Sequence, residues 1–473
     1  MVLKPFPELI EDFSSQTIVL IGDGMIDHYV LGNVSRTSAE APVPIHHAYG
    51  EDWVAGGAAN VAKNLAAQGA NVLFFSVVGD DEPARRLNKL LQEDPKITPV
   101  LLEDPSRPTT VKTRYVAQGQ QMLRVDWEKA EPITPALRRQ IVEKLNATQQ
   151  HIDGIIISDY GKGLISRELV EELIAFAASR NLEILVDPKG RDYAKYKGVS
   201  CVTPNKKEAE EASGILIRDE ASAALAASTL QQIVEGKAIC ITLSAGGVAI
   251  YPKGEPAQRV AASAKEVFDV TGAGDTFLAI MALARFSGAG FVRSVELGNL
   301  AAGLAVARSG VAVISASDLL QQLSNSAPMQ KWLSPDSLKE KSRSLRLAGR
   351  KIVFTNGCFD LLSASHIRLL ERSRTLGDVL IVALNDDASV TRLKGNGRPH
   401  LPLNERVELL TSLGFVDYVT VYSNDTPEEL LKTLQPDVLV KGNMGENVVG
   451  RDLVEGYGGS VVVLDVSRAP GLI

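Results

Sequence analysis

The hydrophobic positions along this chain fall into short β-branched runs, separated by longer Ala-rich segments with helical spacing. In the first part of the chain the runs lie at 17–23, 71–80, 154–161, 182–190, 201–205 and 238–247. Strands of this kind, separated by helices of ten or more residues, indicate a parallel, doubly wound sheet covered on both faces. Two segments that carry more polar residues, 43–60 and 110–128, interrupt the pattern. We expect these two segments to form a smaller antiparallel β lid.

A polar stretch separates this region from a second α/β pattern. From about Ser315 to Arg350 the sequence has no strand pattern and allows at most a helix or two. The alternation then resumes in five runs, at 351–357, 378–386, 416–422, 436–442 and 460–466. We therefore predict a first domain at 1–315, a connector at 316–347 and a smaller α/β domain at 348–473, which is of ordinary domain size.

Length and composition agree with a two-domain globular protein. The chain has 473 residues, of which 45% are hydrophobic and 23% charged, and single cores stop growing at about 250–300 residues. It contains no apolar run long enough to cross a bilayer. The N-terminal sequence MVLKPFPELIEDF has acidic residues and proline where a signal peptide needs an apolar core. We expect a soluble, cytoplasmic protein with no membrane partner.

The charge and the cysteines exclude several classes of function. The formal net charge is −7 and the basic residues are scattered, so we expect no nucleic-acid partner. The three cysteines, Cys201, Cys240 and Cys358, are far apart and odd in number, which favours neither a disulfide framework nor a zinc site. Small anionic substrates remain compatible with this charge, because a phosphate site needs only a local cluster of donors.

The stretch DVTGAGDTF, Asp269–Phe277, predicts a phosphoryl-transfer site. Its glycines allow a ligand close to the backbone, and the first-turn amides of the Ala-rich helix that follows can bind a phosphate. Asp275 lies in the same turn, where it can accept a proton from an attacking hydroxyl. A Gly-rich loop alone would as readily be a structural turn, but the full nonapeptide is more specific.

Two further segments carry residues suited to the same chemistry. The glycines of GGAAN, Gly56–Asn60, open a helix and allow a second close approach, with tight packing as the alternative. Asn205 and Glu208 place an amide and a carboxylate on one helix face, a pair that suits water-mediated Mg²⁺. The alternative for that pair is a helix cap followed by a solvated face.

The order of GDGMID, GGAAN, DPKG, TPNKKE and DVTGAGDTF over residues ~15–315 resembles the ribokinase/PfkB family of sugar kinases, a fold class with a doubly wound α/β sheet and a small antiparallel β lid. The resemblance implies ATP and Mg²⁺, with Asp275 as the catalytic base. It further implies these positions: Gly272, Ala273 and Gly274 as the anion hole; Asn205 and Glu208 at the metal and phosphates; Asn299 near adenine; and Asp27, Gly56, Gly57 and Asn60 on the sugar. Lys189, Arg114 and Arg124 are candidates for a phosphate already on the sugar, with surface ion pairs as the alternative.

The second domain resembles a nucleotidyltransferase superfamily whose signature is His, any residue, Gly, His at a helix start. The stretches GCFDLLSASH, ALNDDASVTRLKGNGRP and PDVLVKG are similar to its heptose adenylyltransferase branch, which implies a Rossmann-like fold. The resemblance makes His366 a donor to the phosphorus oxygens, and the alternative is a histidine at a helix start that is satisfied by a backbone carbonyl. It implies nucleotide contacts from Asn356, Gly357, Phe359, Asp360, Ser363, Lys394 and Arg406.

This domain departs from the signature at two positions. Ser363 stands where the first His is expected, and Ser365 stands where the Gly is expected. The chain also ends in VSRAPGLI rather than in a Ser/Thr-rich segment. Because losing one preorganised donor to a transition-state oxyanion costs about 10²–10³ in rate, turnover at this site is an open question.

Taken together, the chain resembles the family of bifunctional heptose 7-phosphate kinases and heptose 1-phosphate adenylyltransferases. The resemblance implies synthesis of ADP-heptose for the lipopolysaccharide core, in a Gram-negative cytoplasm. It also implies a homodimer, because the lid pairs with its twin in relatives. Two alternatives remain: an active kinase whose second domain is impaired or only structural, and a kinase for ribose, fructose phosphate or a nucleoside.

Overall fold

The computed structural model describes residues 4–263, 267–308, 310–324, 331–442 and 448–465. The chain divides into two compact units. One unit is Leu9–Leu319, and the other is Leu320–Ile473 together with the N-terminal residues up to Glu8. The predicted C-terminal departure, VSRAPGLI at 466–473, and the middle of the predicted connector, 325–330, lie outside the described residues.

The first unit contains the strands and helices that the sequence predicts, and several more. Its strands are β1 (Thr17–Gly22), β2 (Gly24–Thr37), β3 (Pro44–Gly57), β4 (Asn71–Val78), β5 (Ile97–Glu103), β6 (Val111–Ala117), β7 (Gln120–Trp127), β8 (Gly154–Ser158), β9 (Ile184–Asp187), β10 (Cys201–Val202), β11 (Ala238–Thr242), β12 (Val248–Pro252) and β13 (Gln258–Val260). The helices from the start of the chain are α1 (Phe6–Asp12), α2 (Ala58–Ala67), α3 (Glu82–Gln92), α4 (Pro135–Asn146), α5 (Arg167–Arg180), α6 (Lys206–Ser213), α7 (Glu220–Val234), α8 (Ala273–Phe286), α9 (Phe291–Val306) and α10 (Ala316–Ser324).

The large sheet of this unit is a doubly wound sheet of nine strands in the order β13-β12-β11-β10-β9-β8-β1-β4-β5. The seven strands from β11 to β5 are parallel, and the edge strands β12 and β13 are antiparallel. The central strands β1 and β8 are buried almost throughout, as expected for strands covered by helices on both faces. The carboxyl ends of these parallel strands meet at one edge, where ligands of open α/β sheets bind.

The lid is a second sheet of four strands in the order β3-β2-β6-β7. The predicted lid segments did not include β2, which begins two residues after β1 ends. β2 pairs antiparallel with β3 but parallel with β6, and β6 pairs antiparallel with β7. The expected antiparallel lid is confirmed for two of its three pairings. β2 and β6 are parallel instead, because the crossover through β4, α3 and β5 returns the chain to the lid in the direction of β2.

The second unit is a parallel α/β layer. Its strands are β14 (Ile352–Gly357), β15 (Val379–Asn385), β16 (Tyr418–Tyr422), β17 (Val438–Gly442) and β18 (Ser460–Leu464), in the order β16-β15-β14-β17-β18. All four pairings are parallel. The helices are α11 (Pro335–Leu347), α12 (Ala364–Arg374), α13 (Asp387–Lys394), α14 (Leu403–Thr411), α15 (Glu428–Leu434) and α16 (Arg451–Gly456). Separate hydrophobic clusters cover the two faces of the sheet.

Part of the polar stretch before β14 belongs to this core. Leu338 of α11 is fully buried against Ile352 and Phe354 of β14. Ser334 caps α11, since its hydroxyl accepts a hydrogen bond from the Ser337 amide. The apolar side of this amphipathic helix thus covers part of one face of the second sheet.

Candidate active sites

The start of α8 is shaped for a close approach of the backbone to a ligand. Gly272 is the N-cap of α8 and has φ +77°, a left-handed conformation that favours glycine. A Cβ atom at this position would lie 2.8 Å from Asn60 Nδ2. The Ala273 amide donates to the Val270 carbonyl at 3.3 Å, whereas the amides of Gly274 and Asp275 stand in the first turn, where an α-helix supplies no acceptor.

Asp275 lies in that first turn with its side chain buried and held from two sides. Asn60 Nδ2 donates to Asp275 Oδ2 at 2.8 Å, and the Tyr160 hydroxyl donates to Asp275 Oδ1 at 2.5 Å. Burial raises the pKa of Asp275 to about 6, and the two hydrogen bonds oppose that shift. The carboxylate is therefore mostly ionised at neutral pH and can accept a proton.

Asp27 lies on β2 at the junction of the lid and the large sheet. It is buried and forms an ion pair with Arg114 of β6. A Cβ at Gly56 would lie 2.2 Å from Asp27 Oδ2, so only glycine allows this approach. Gly57 follows with φ +55° and is the N-cap of α2, the helix that carries Asn60. Asp27, Gly56, Gly57 and Asn60 thus converge beside Asp275, whose pKa the charge of Asp27 helps to raise.

A cavity of about 200 Å³ lies at the carboxyl ends of β8, β9 and β10. It is lined by Tyr160 and Gly274, by Asp187 and Lys189, and by Asn205 and Glu208. Burial, and then the charge of Glu208, raises the pKa of Asp187 well above its usual range. This cavity joins the start of α8 to the Asn205 segment.

Asn205 and Glu208 form a capping box at the start of α6. Asn205 Oδ1 accepts from the Glu208 amide and Glu208 Oε2 accepts from the Asn205 amide, each at 3.0 Å. Glu208 Oε1 also accepts from Lys189 Nζ at 2.7 Å. Both side chains therefore already serve the helix start, and the described residues contain no group of three or more His, Cys, Asp or Glu arranged to hold a metal ion. Contact with a metal through water stays a prediction for this pair.

Asn299 anchors the segment that precedes α8. Its side chain on α9 is buried, and Nδ2 donates to the Ala261 carbonyl at 2.8 Å. Its own carbonyl accepts from Ser263 Oγ at 2.8 Å. The amide of Asn299 therefore fixes residues 261–263 against α9.

The second unit has its own cavity, of about 450 Å³, at the carboxyl ends of β14, β15 and β17. Five of the predicted residues line it: Asn356, Gly357, Phe359, His366 and Lys394. Ser365, Cys358 and Lys441 line it as well. Lys441 Nζ donates to Asn356 Oδ1, and burial lowers the pKa of Lys441 to about 8. The cavity therefore offers cationic and imidazole donors to an anion.

His366 is held at the start of α12 by a second capping box. The Ser363 amide donates to His366 Nδ1 at 3.2 Å, and Ser363 Oγ accepts from the His366 amide at 3.4 Å. An amide N–H can only donate, so Nδ1 is the acceptor and the neutral ring carries its proton on Nε2. Burial, and then the charge of Lys394, lowers the pKa of His366. A hydrogen bond with the Leu361 backbone opposes this shift in pKa, and the ring lies at the edge of the cavity.

The comparisons with known proteins follow this division of the chain. The model of the pfkB family of carbohydrate kinases matches residues 15–318, and the cytidylyltransferase-like model matches residues 354–463. Bifunctional protein HldE of Desulfatibacillum aliphaticivorans is 43% identical over 456 residues, which is 96% of this chain and 93% of that protein. The HldE protein of Helicobacter hepaticus is 42% identical, over 96% of this chain and 97% of that protein.

The chain belongs to the family of bifunctional HldE proteins. The expected pair of a sugar kinase and a nucleotidyltransferase is thereby confirmed at the level of family. Within the described residues, no helix combines the length and the apolar character needed to cross a bilayer.

Solved structures support the fold of the first unit. Ribokinase of Arabidopsis thaliana, in complex with ribose and ATP, is 18% identical with a TM-score of 0.52, covering 65% of this chain and 98% of that one. Phosphofructokinase-2 of Escherichia coli, in complex with substrates and products, is 18% identical with a TM-score of 0.55, covering 65% of this chain and 97% of that one. At this identity the likeness shows the fold alone, and the expected ribokinase-like fold of the HldE kinase part is confirmed.

Each of the three cations considered for a sugar phosphate forms an ion pair in the structure. Lys189 pairs with Glu208 in the 200 Å³ cavity. Arg114 and Arg124 face each other across β6 and β7, where Arg114 pairs with Asp27 and Arg124 pairs with Asp126. These ion pairs agree with the alternative for each residue, and contact with a sugar phosphate stays a prediction.

Arg406 and Asp360 bind the protein itself instead of facing the nucleotide cavity. Arg406 is fully buried, and its guanidinium donates to the carbonyls of Leu401, Cys358 and Asn385 and to Asp387. Asp360 is buried as well and accepts from Arg398 and from the His400 amide. Four N–H groups of Arg406 and both carboxylate oxygens of Asp360 thus have partners within the chain. This arrangement favours a structural role for both residues over the predicted phosphate contact of Arg406 and the predicted nucleotide contact of Asp360.

Sequence reasoning missed three residues that line the cavities, Tyr160, Asp187 and Lys441. It also missed Lys112, which lies beside Tyr160. Burial lowers the pKa of Lys112, whose ammonium lies 5.5 Å from the centroid of the Tyr160 ring. Asp187 and Lys441 each lie at the carboxyl end of a parallel strand, and Tyr160 follows one by two residues. Polar residues at the carboxyl ends of predicted parallel strands were the available signal, because those ends meet at one edge.

Proposed function

We propose that the first unit phosphorylates D-glycero-β-D-manno-heptose 7-phosphate at O1, with ATP as its magnesium complex. Asp275 accepts the proton of the sugar hydroxyl, the oxygen attacks the γ-phosphorus, and ADP leaves. The observation that supports this proposal is the buried, largely ionised carboxylate of Asp275 in the first turn of α8, beside the backbone amides of Gly274 and Asp275. Preorganised amides of this kind stabilise charge that develops on a transferred phosphoryl group.

The remaining roles are the ones that the family resemblance implies. Gly272, Ala273 and Gly274 form the loop against the transferred phosphoryl group, and Asn205 and Glu208 contact the metal of MgATP through water. Asn299 lies near the adenine. On the sugar side, Asp27, Gly56, Gly57 and Asn60 hold the hydroxyls, while Arg114, Arg124 and Lys189 are the cations available to phosphates.

The kinase proposal is tested by Asp275→Asn in the full chain. We expect loss of about 10²–10⁴-fold in the rate of ADP formation, because an amide cannot accept the proton. Asp80→Asn, at an exposed carboxylate, is the matched control and retains the wild-type rate. Phosphorylation that survives Asp275→Asn would remove the base assignment. A panel of ribose, fructose 6-phosphate and heptose 7-phosphate tests the sugar.

For the second unit we propose adenylyl transfer. An oxygen of heptose 1-phosphate attacks the α-phosphorus of ATP, pyrophosphate leaves, and ADP-heptose for lipopolysaccharide core is formed. The cavity lined by His366, Lys394 and Lys441 supports this reaction, since an Nε2–H and two amines can donate to phosphate oxygens.

A second candidate has its own support: a second unit that binds nucleotide or serves assembly without turnover. Ser363 cannot carry positive charge, and both Ser363 and His366 are engaged in the capping box. Pyrophosphate release from heptose 1-phosphate and ATP distinguishes the two. A measurable rate that collapses in His366→Ala supports the enzyme. No rate in the wild type, with recovery in the double variant Ser363→His and Ser365→Gly, supports a decayed site.

We further propose a cytoplasmic location, a homodimer that pairs through the lid, and domains at 1–315 and 348–473 joined by a segment at 316–347, of which α11 packs on the second domain. Cell fractionation, light scattering and limited proteolysis test these three proposals in turn. A monomer in solution at micromolar concentration would remove the dimer.

A further inference from the structure

The loop after β8 is fixed at several points. Asp23 Oδ2 accepts from the amides of Tyr160 and Lys162, at 2.9 and 3.1 Å. Asp159 Oδ1 accepts from the Gly161 amide at 2.7 Å. The backbone that carries Tyr160 therefore has little freedom, and its side chain is aimed by the fold.

The Tyr160 side chain lies between the lid and the start of α8. Its hydroxyl donates to Asp275 Oδ1 at 2.5 Å, and the ammonium of Lys112 lies over its ring. Burial, and then the charge of Asp275, raises the pKa of the phenol well above its usual range. Tyr160 therefore stays protonated, and a protonated phenol beside a carboxylate is a hydrogen-bond donor.

We infer that Tyr160 is a positioning residue of the phosphoryl-transfer site, which orients the Asp275 carboxylate and keeps it ionised. The inference rests on the proposed kinase function. A carboxylate offers about four acceptor positions, of which Asn60 and Tyr160 take one on each oxygen. Room is therefore left for the sugar hydroxyl, and Tyr160 need not touch the reacting atoms.

The charges around Asp275 give the direction of the effect. Asp27 on β2 and Asp187 on β9 are the acidic neighbours that interact with Asp275, and Lys112 on β6 is the cation. The Tyr160 hydrogen bond lowers the pKa of Asp275. Without it the carboxylate binds a proton more readily, so the base form is lost at a higher pH. A hydrogen bond to a charged group corresponds to a shift of about one unit or more.

The test is the pH dependence of kcat/KM for the kinase reaction in the full chain, comparing Tyr160→Phe with wild type. We expect the acid limb of the variant to move up by about one pH unit. On that limb the variant is then about tenfold slower, while the rates above pH 8 stay close. An acid limb that coincides with that of wild type would overturn the inference.

Tyr196→Phe is the matched control. The Tyr196 hydroxyl donates to Asp159 Oδ2 at 2.7 Å, so this variant also loses a hydrogen bond between a buried phenol and a carboxylate, but not one to Asp275. We expect its acid limb to match that of wild type. Equal shifts in both variants would mean that the effect comes from general loosening of the loop, which also overturns the inference.

A second variant tests the opposite direction. Replacing Tyr160 by 3-fluorotyrosine makes the phenol a stronger donor and should move the acid limb down. The Asp275→Asn assay separates the two levels of the argument. If Asp275→Asn is inactive but neither Tyr160 variant moves the acid limb, only the role of Tyr160 is refuted. If Asp275→Asn is active, the proposed kinase mechanism is refuted, and the role of Tyr160 with it.

Discussion

Gly272→Ala should disable the kinase site by displacing Asn60. Gly272 has φ +77°, and a side chain in this left-handed conformation costs about 1–2 kcal/mol. The added Cβ would also lie 2.8 Å from Asn60 Nδ2, the atom that donates to Asp275. The clash is with a buried amide that is itself hydrogen-bonded to Asn64, so Asn60 has little room to withdraw.

The magnitude follows from the hydrogen bond that is lost. A hydrogen bond to a charged group contributes about 1.5–3 kcal/mol, and each 1.4 kcal/mol corresponds to about tenfold in rate. We therefore expect kcat/KM for the kinase reaction to fall by about 10–100-fold at pH 7.5. A coupled assay of ADP formation measures this rate, and differential scanning calorimetry reports the stability of Gly272→Ala and of the control variant Gly254→Ala.

Gly254→Ala provides the control for backbone strain alone. Gly254 has φ +81°, and a Cβ there would meet no atom within 4 Å. Both variants carry the left-handed penalty, but only Gly272→Ala meets Asn60. Equal kinase rates in the two variants would refute the reasoning, because they would show that the contact between Gly272 and Asn60 does not govern the position of Asp275.

Three further predictions follow from the same geometry. The wild-type kinase rate should fall as the pH drops through about 6, since Asp275 then binds a proton; a rate that is flat between pH 5 and 8 would contradict this, and a pH series of kcat/KM measures it. Arg406→Ala should lower the free energy of unfolding of the second unit by about 3 kcal/mol or more, measured in urea, because it leaves buried carbonyls without their donor. The control Arg392→Ala, at an exposed ion pair, should lower it by less than about 1 kcal/mol. Equal losses in the two variants would contradict a structural role for Arg406. ATP binding to the second unit, measured by calorimetry, should weaken as the pH rises through about 8, where Lys441 loses its charge, and Lys441→Met should remove that pH dependence.

The sequence identified the kinase site more completely than the transferase site. Asp275, Asn60 and Gly272 could be predicted because their motifs occur at helix starts, where glycine and a capping residue leave a local signature in the sequence. The role of Arg406 had no such signature. A polar residue in the helical sequence LNERVELL is normally assigned to the solvent or to a ligand.

Strand β2 of the lid could not be predicted from the sequence either. β2 is 14 residues long, yet its residues lack the strict alternation that marks a half-buried strand. Its buried residues begin at Gly24 and include Asp27, because this end of the lid faces the large sheet and the site. The far end is exposed, so no single hydrophobic pattern runs along the strand.

The sequence by itself determined the two α/β units, their parallel strands and the chemistry of the first site, because buried runs and helix starts are local properties of the chain. Only the tertiary structure decided which polar groups meet. It gave Arg406 its acceptors at Cys358 and Asn385, paired Lys189 with Glu208, and placed Tyr160 against Asp275 across 115 positions of sequence. The physical reason is that a buried polar group needs a hydrogen-bond partner, and the packing of strands and helices decides which residue lies close enough to provide one. The sequence around either residue does not contain that information.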